Sequence, residues 1–322
     1  MTLRHRLAVA IVALWVAAPA AAQTFPDRPI RLVAPFPAGG LADVLGRAVG
    51  DEISKTLGQT VIIENRSGGG GNTGADAVAK AEPDGYTLLM SSAGILTANP
   101  YLYSKMPFDA ETAFAPVSNV ADMSMLVVVR SDLAQKSLKD LVAFARSNPN
   151  KLNFGSAGIG TTGHLGLAML MHAAGIKLTH VPYRGAAPSI TDLLAGQIDG
   201  VVDNPPTVLP HIRSGRLRAL AVAARGRLPL LPDLPTAAEA GVPNYEASSW
   251  FGVMAPARTP QPIIERLHKE LAAAVRTPAM QERFASSGAR LIGDTPAEFA
   301  ARIKKERAMW GEIIGAANIK AD

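Results

Sequence analysis

The sequence predicts an α/β protein with two lobes, and three observations support this fold class. The chain has 322 residues, which at roughly 150 residues per domain corresponds to two domains. Short apolar segments typical of strands alternate with amphipathic segments typical of helices, the pattern of mostly parallel sheets flanked by helices. Two extended segments, near 114–130 and 247–255, interrupt this alternation, and we interpret them as the crossings between the lobes. On pattern alone, a single large α/β domain is the alternative.

The first hundred residues form a predicted β-α-β-α-β unit. A turn at Pro37–Gly40 separates the first strand from a helix with apolar residues near one face, and Gly58 is a typical helix stop. A second, Gly-rich turn spans Ser67–Gly74. The predicted strands are 30–34, 61–64 and 86–90, the last followed by Ser91 and Ser92, and the predicted helices are 41–57 and 75–81.

The second unit repeats the alternation, and a helical tail follows it. Its most distinctive segment is a loop rich in Gly and Thr at 155–163, between a strand and a helix. The predicted strands are 152–154, 178–181, 198–203 and 217–223, the predicted helices are 137–147, 164–174 and 188–195, and the tail helices are 262–275, 278–286 and 296–316.

Composition excludes several classes of protein. Hydrophobic residues make up 48% of the chain, a fraction too high for a disordered protein. The chain has no Cys, which rules out disulfides, zinc–thiolate sites, thiol nucleophiles and lipid attachment to cysteine. The 32 Lys and Arg exceed the 27 Asp and Glu by only 5, and they are scattered, so the charge balance indicates no nucleic-acid partner.

The first 22 residues have the organisation of a secretory signal peptide. A basic start at 4–6 precedes an apolar run at 7–18, and small residues at 20–22 suit cleavage after Ala22. The apolar run is too short for a membrane anchor, which takes roughly 20 apolar residues. Because no other segment approaches a membrane span, we expect a soluble protein exported to a bacterial periplasm.

Common catalytic and cofactor motifs are incomplete or missing. Gly69–Gly74 and Gly158–Gly163 both have the G-x-G-x-x-G spelling of a dinucleotide site between a strand and a helix. The strand after the first ends in Ser91 rather than an acid, and the strand after the second ends near Arg184, which could meet a 2′-phosphate. Free NADP is not expected in the compartment of an exported protein. The P-loop, G-x-S-x-G, S-x-x-K and H-E-x-x-H motifs do not occur, so we predict no cofactor and no enzymatic activity.

In each unit, a strand ends in a Gly-rich turn and a helix begins. The turns are Pro37–Gly40 and Gly155–Thr162. Such a turn exposes backbone N–H groups beside the positive end of a helix dipole, which suits an anion, and Gly lets a ligand approach the backbone closely. Ser156, Thr161 and Thr162 add hydroxyl donors. Each turn could also be a simple connection, but two opposed turns in an exported protein favour anion binding.

Several charged or polar residues near these turns allow two interpretations. Asp43 either compensates the helix dipole or orders the loop and holds a ligand group. Arg184, after Tyr183, is either a carboxylate clamp or a solvated surface charge. Asp203 ends a strand, where crevice residues of α/β sheets lie. The histidines are eight residues apart, which is not a metal-ligand spacing, and we interpret them as ordinary residues with no metal site: His164, His172 and His180.

Separated motifs occur in a characteristic order along the mature chain. It opens with P-I-R-L-V-A-P-F, followed by Gly39, Gly40 and Asp43. Further motifs are E-N-R at 64–66, D-G-Y-T-L-L at 84–89, K-L-N-F-G-S at 151–156, H-V-P-Y at 180–183, L-R-A-L-A-V at 217–222 and Trp250. On these motifs the chain resembles the substrate-binding (Bug) family of tripartite tricarboxylate transporter receptors.

The resemblance implies a two-lobed periplasmic binding protein with a Venus-flytrap, type II-like architecture. We expect a signal peptide at 1–22, a first lobe from 23–122 and 247–322, and a second lobe from 123–246. The implied function is to deliver a small carboxylate ligand to a membrane permease of one large and one small subunit. A ligand-sensing receptor for a membrane sensor kinase is the alternative. We expect a monomer.

In the resembled family, one ligand carboxylate is pinched between the first βα loop and the Gly-rich loop of the second lobe. Carried over, this points to 36–43 and 155–162. Many relatives have Pro-Gly where this chain has Ser67-Gly68, a change we expect to be structural. Val202 stands where family members commonly have an aromatic residue, so the resemblance does not define the contacts at the far end of the pocket. The predicted ligand-binding residues are Phe36, Pro37, Ala38, Gly39, Gly40, Asp43, Ser91, Ser92, Gly155, Ser156, Ala157, Gly158, Gly160, Thr161, Thr162, Tyr183, Arg184 and Asp203.

Overall fold

The computed structural model describes residues 25–285, 287–317 and 320, which form two bodies of sheet and helix. The expected signal peptide and its cleavage site lie outside the described residues. The strands of the first sheet are β1 (Ile30–Ala34), β2 (Val61–Asn65), β3 (Thr87–Ser92), β4 (Phe114–Ser124), β10 (Ser248–Pro256) and β11 (Ala289–Leu291). The strands of the second sheet are β5 (Leu126–Arg130), β6 (Asn153–Ser156), β7 (Thr179–Pro182), β8 (Gly200–Asp203) and β9 (Leu217–Val222). We call the body around the first sheet the first lobe and the body around the second sheet the second lobe.

Both sheets are mixed, so the expected mostly parallel pairing holds for only part of each. The first sheet has the order β11-β4-β10-β3-β1-β2, with β1 parallel to β2 and β3, while β10 and β11 pair antiparallel with their neighbours. The second has the order β7-β6-β8-β5-β9, with β6 parallel to β7 and β8, while β5 is antiparallel to β8 and β9. Parallel pairs need a crossover such as a helix. β5 and β10 enter their sheets directly from the other lobe, without such a crossover. Both strands run antiparallel to their neighbours.

The chain passes between the lobes at two adjacent places. β4 ends at Ser124 and β5 begins at Leu126, so the first passage is at Met125. The return lies between Ala247 and β10. The Met125 N–H donates to the Ala247 carbonyl at 3.0 Å, and the Ala223 N–H donates to the Met125 carbonyl at 2.9 Å. The two extended segments of the sequence therefore form neighbouring crossings.

Helices cover the sheets in most of the places that the sequence predicts. The sequence analysis missed α3, α4, α8 and the short strand β11; α8 contains three Pro, two of them at its start, where the missing N–H costs least. The helices are α1 (Leu41–Leu57), α2 (Asn72–Ala79), α3 (Ala93–Thr97), α4 (Asn99–Leu102), α5 (Leu138–Ser147), α6 (Thr162–Ala174), α7 (Ala186–Leu194), α8 (Pro205–Arg213), α9 (Gln261–Ala274), α10 (Pro278–Ala285) and α11 (Pro296–Ala317).

The first helix shows how the sequence pattern becomes structure. Leu45, Val49 and Ile53 recur at helical spacing and are buried in the core that also contains Ile30 of β1. Gly58 ends the helix in the left-handed conformation, with φ 69°, which a residue without Cβ adopts at little cost. This packing fixes the first turn of α1 at the carboxyl end of β1, which is where the candidate site lies.

A cluster of apolar side chains also joins the lobes. Leu165 of α6, in the second lobe, packs with Ala98 and Leu102 of the first lobe and with Trp310 and Ile314 of α11. Among the described residues, no helix combines the length and the apolar character that a membrane span requires.

Candidate functional site

A cavity of about 470 Å³ lies between the lobes, where the turns after β1 and β6 face each other. Its position agrees with the rule that ligands of α/β proteins bind outside the carboxyl ends of the strands. Of the predicted residues, ten line this cavity: Phe36, Pro37, Ala38, Gly39, Gly40, Ser92, Ala157, Thr161, Thr162 and Asp203. The other eight predicted residues lie outside its lining: Asp43, Ser91, Gly155, Ser156, Gly158, Gly160, Tyr183 and Arg184.

Asp43 organises the turn after β1 from behind. Its Oδ2 accepts a hydrogen bond from the Gly39 N–H at 2.9 Å, and its Oδ1 lies 2.9 Å from Nη2 of Arg47. Burial opposes ionisation of this carboxyl, but the hydrogen bonds from Arg47, Gly39 and Asn65 outweigh it and hold its pKa below the usual range. Of the two interpretations of Asp43, ordering of the loop fits these contacts.

The helix start that follows the turn after β1 leaves free backbone donors at the cavity. Gly39 has φ 81°, a conformation that favours Gly, and the Gly40 N–H closes the turn on the Pro37 carbonyl at 3.2 Å. Helix α1 begins at Leu41, so the N–H groups of its first turn have no helical acceptor. Leu41 and Ala42 line the cavity, which places this positive helix end at the site.

The Gly-rich loop of the second lobe is held by two histidines that sequence reasoning took for ordinary residues. The rings of His164 and His180 stack with their centroids 4.1 Å apart. His164 Nδ1 accepts the Gly160 N–H at 3.2 Å, and His180 Nε2 lies 2.6 Å from Ser156 Oγ. Burial, with a smaller effect of His180, lowers the pKa of His164 to about 3, and burial lowers the pKa of His180 to about 4. Both rings are therefore neutral at pH 7.

Ser156 and the loop glycines shape this loop rather than line the cavity. Ser156 Oγ accepts the Gly158 N–H at 3.2 Å, and Thr161 Oγ1 donates to the Gly158 carbonyl at 2.7 Å. Helix α6 begins at Thr162, so its free N–H groups also point to this end of the site. The position of His164, four residues after Gly160 at the start of a helix, is the one sequence signal that could have indicated its role.

Ser92 contributes a buried hydroxyl without a partner. It lies at the end of β3, is 2% exposed, and its Oγ finds no hydrogen-bond acceptor or donor within the described part of the chain. The residue opposite it on β10 is Phe251, which also lines the cavity. A buried unpaired hydroxyl is costly, so a polar ligand atom in the cavity would relieve it. The neighbouring Ser91 is turned elsewhere and donates to the Ser92 carbonyl at 3.2 Å.

Asp203 lies at the carboxyl end of β8 and lines the cavity, as the sequence predicts. The Asn204 N–H donates to its Oδ1 at 2.7 Å. Burial raises its pKa to about 6, against the opposing effect of this hydrogen bond and one from Thr207. At pH 7 the side chain is therefore mostly ionised and faces the ligand space with a negative charge.

Tyr183 and Arg184 are not among the residues that line the cavity. The Tyr183 hydroxyl donates to Asp192 Oδ2 at 2.8 Å, and the Arg184 side chain is exposed to solvent. The interpretation of Arg184 as a carboxylate clamp finds no support in this arrangement. The helices that follow β7 and β8 contribute instead, with Gly185, Ala186, Pro188, Ile190, Thr191, Leu194, Asn204, Thr207 and His211. Because those strands end at the same sheet edge, their following helices could have been predicted to line the site.

The lobes approach each other closely at the Gly-rich loop. The Tyr103 hydroxyl donates to the Ile159 carbonyl at 3.2 Å. A Cβ added to Gly160 would lie 2.1 Å from Oδ1 of Asn99 in the first lobe, and a Cβ added to Gly94 would lie 2.0 Å from the Gly160 carbonyl oxygen. Glycine at both positions therefore permits the closed arrangement of the lobes.

A larger groove of about 1180 Å³ lies beside the crossings, but its most buried charges satisfy one another. Asp122 is bound by Arg302 at 2.6 Å and Arg290 at 3.1 Å. Glu306 accepts from Arg302 at 2.8 Å and from Trp250 Nε1 at 2.7 Å. This network ties α11 to β4 and β10. We therefore place the candidate site in the smaller cavity, where both Gly-rich turns meet.

The described residues contain no group of three His, Asp or Glu side chains that could hold a metal ion. A family model described as "Tripartite tricarboxylate transporter family receptor" matches residues 45–319. The chain belongs to this receptor family. It is 37% identical to Protein BugT of Bordetella pertussis over 309 residues, which cover 96% of this chain and 95% of that protein.

Solved structures agree with the fold of this receptor. The structure titled "R. palustris Rpa4515 with adipate" has 38% sequence identity and a TM-score of 0.88, covering 92% of this chain and 99% of that chain. MatC of Rhodopseudomonas palustris with bound malate has 32% identity and a TM-score of 0.86, covering 90% of this chain and all of that one. Both the family resemblance and the two-lobed periplasmic binding protein fold are thus confirmed.

Proposed function

We propose that this receptor captures a small carboxylate ligand between its lobes and presents it to a membrane transporter. The observation that carries the proposal is the meeting of two Gly-rich turns, one from each lobe, at one cavity. Each turn precedes a helix, α1 or α6, so that two positive helix ends converge on the same space. Two relatives of the same fold are solved with the carboxylates adipate and malate, which supports a carboxylate as the ligand.

Binding would rest on hydrogen bonds rather than on an ion pair. Each hydrogen bond to a charged group contributes about 1.5–3 kcal/mol. The free N–H groups of the two helix starts, the Thr162 hydroxyl and the unpartnered Ser92 hydroxyl are the donors available at the cavity. Four to six such donors are enough for a dissociation constant of about 1 µM or lower.

The mechanism we propose is closure of the cleft. A ligand that touches both turns binds the closed arrangement better than an open one, and this difference in affinity shifts the equilibrium between them. We propose that the adjacent crossings at Met125 and Ala247 form the hinge of this motion and mark the boundary between the lobes. Asp43, His164 and His180 hold the two turns in their binding conformation and are positioning residues.

The remaining expectations complete this proposal. The family is one of periplasmic receptors for a transporter, and we propose export with cleavage after Ala22, a permease of one large and one small subunit, and a monomeric receptor. We propose that the protein carries out no catalysis, because the family model that it matches is described as a receptor.

A thermal-shift screen of carboxylates tests this function. A ligand at 100 times its dissociation constant should add about 2.7 kcal/mol of stability, which for a protein of this size raises Tm by about 4 °C. The matched control is the amide of each acid, which has nearly the same shape without the charge. A flat response across aliphatic, aromatic and amino acids, or equal shifts with acids and amides, would contradict the proposal.

A further inference from the structure

The walls of the cavity beyond the two turns are largely apolar. Phe36, Leu41 and Phe251 contribute from the first lobe, and Ile190 and Leu194 contribute from the second. The volume of about 470 Å³ is within the usual range for small-molecule sites. This space suits an aromatic ring or a medium-length aliphatic chain attached to the bound carboxylate.

Among the described residues, no Lys or Arg side chain lines the cavity to balance a second negative charge on the ligand. The one basic group in the described lining is His211, whose Nδ1 lies 2.8 Å from Nη2 of Arg216. Burial and the adjacent Arg216 charge lower the pKa of His211, so this ring is neutral at pH 7.

The arginines near the cavity are not among its lining residues, and the charged side chain that does line it is acidic. Arg216 contacts the lining residue His211 but does not line the cavity itself. Arg47 pairs with Asp43 behind the first turn, and Arg184 is exposed outside the cavity. Asp203 faces the ligand space with its carboxyl group. A second carboxylate on the ligand would lose its hydration without gaining a cation, and it would be repelled by Asp203.

We infer that the ligand is a monocarboxylate with an uncharged, largely apolar body. The carboxylate sits between the two Gly-rich turns, and the body lies against the apolar walls. This inference rests on the proposed carboxylate-binding function and narrows its ligand class. It distinguishes the chain from its relatives solved with the dicarboxylates adipate and malate.

Pairs of acids that differ only in the second carboxylate test the inference. Calorimetric titration of the mature chain at pH 7.5 would compare hexanoate with adipate and benzoate with terephthalate. In at least one pair, we expect the monocarboxylate to bind at least ten times more tightly. If, in both pairs, the dicarboxylate binds at least as tightly as the matching monocarboxylate, the inference is wrong. The proposed function as a carboxylate receptor would still stand. Failure of all four acids, together with a flat thermal-shift screen, overturns the proposed function as well.

A variant with an added cation provides the second arm. Thr191 lines the cavity, its side chain is exposed, and its hydroxyl only donates to the Ala187 carbonyl of its own helix. In Thr191→Lys, the ratio of adipate to hexanoate affinity should rise at least tenfold over wild type. The variant Thr191→Met, of similar length but uncharged, separates the effect of charge from that of size. An unchanged ratio in Thr191→Lys would show that the missing cation does not set the selectivity.

Discussion

Gly94→Ala should weaken ligand binding without weakening the fold. Gly94 lies in α3 of the first lobe, where the lobes meet. A Cβ at this position would lie 2.0 Å from the carbonyl oxygen of Gly160, more than 1 Å closer than ordinary contacts between such atoms. One atom is a Cβ and the other is a backbone oxygen, so neither can move away by side-chain rotation. The lobes must therefore separate to relieve the contact.

The size of the effect follows from the cost of overpacking. Inserting a methyl group into a closely packed contact typically costs about 1–3 kcal/mol, which corresponds to roughly 5- to 150-fold weaker binding. The cost falls only on the closed arrangement. In the open arrangement the added methyl group meets no opposing lobe, and Ala is favoured over Gly in a helix by about 1 kcal/mol. The Tm without ligand should therefore stay the same or rise.

Calorimetric titration of the tightest carboxylate from the thermal-shift screen would measure this effect. The control is Gly46→Ala in α1, another helical glycine, whose Cβ would meet its nearest neighbour, Leu32, at an ordinary 3.7 Å. We expect the control to bind like wild type. If Gly94→Ala also binds like wild type, then the bound protein does not bring the lobes as close together as the structure indicates, and the closure mechanism is wrong.

Two further predictions concern pH. The pKa of Asp203, about 6, should rise when an anionic ligand binds beside it, so affinity should increase several-fold between pH 8 and pH 5.5; calorimetry should show this gain in wild type and its loss in Asp203→Asn. His164 and His180 have pKa values of about 3 and 4 in the folded protein and 6.5 when unperturbed, so unfolding takes up protons below pH 6.5. The contribution of the two neutral histidines to the free energy of unfolding is therefore complete above pH 6.5 and is lost as the pH falls. From pH 7 to pH 5, we expect the free energy of unfolding to decrease by about 3–4 kcal/mol. Denaturant titrations should show this loss in wild type, and the free energy of unfolding should depend on pH about half as steeply in His180→Gln. An equally steep pH dependence in that variant would refute the assignment of the loss to the two histidines.

Much of the fold could be predicted from local patterns. The first strand, α1 and the Gly58 stop depend on residues close together in sequence, and the structure confirms them. The short helix α3, in contrast, begins directly after a strand without a turn signal. It forms because its apolar residues Ile95 and Leu96 are buried in a core that also contains Phe299 of α11, which is a long-range effect.

The candidate site was predictable in position but not in detail. The turns after β1 and β6 were identified from Gly content and helix starts alone. The stacking of His164 on His180 depends on the pairing of β6 with β7 and on the start of α6, and no spacing along the chain reveals it. For Arg184, the sequence left a carboxylate clamp and a solvated surface charge as equal alternatives, and the fold leaves its side chain exposed.

The sequence by itself determined the classes of chemistry that are possible in this protein. The absence of Cys excludes disulfides and thiol chemistry, and the two Gly-rich turns predict anion binding through backbone donors. Only the tertiary structure decided which groups of the described residues line the cavity: the unpartnered Ser92 hydroxyl, the Asp203 carboxyl and apolar walls without Lys or Arg. Periodicity and turn signals act over a few residues, whereas a cavity between lobes is built from segments more than a hundred residues apart whose packing brings them together.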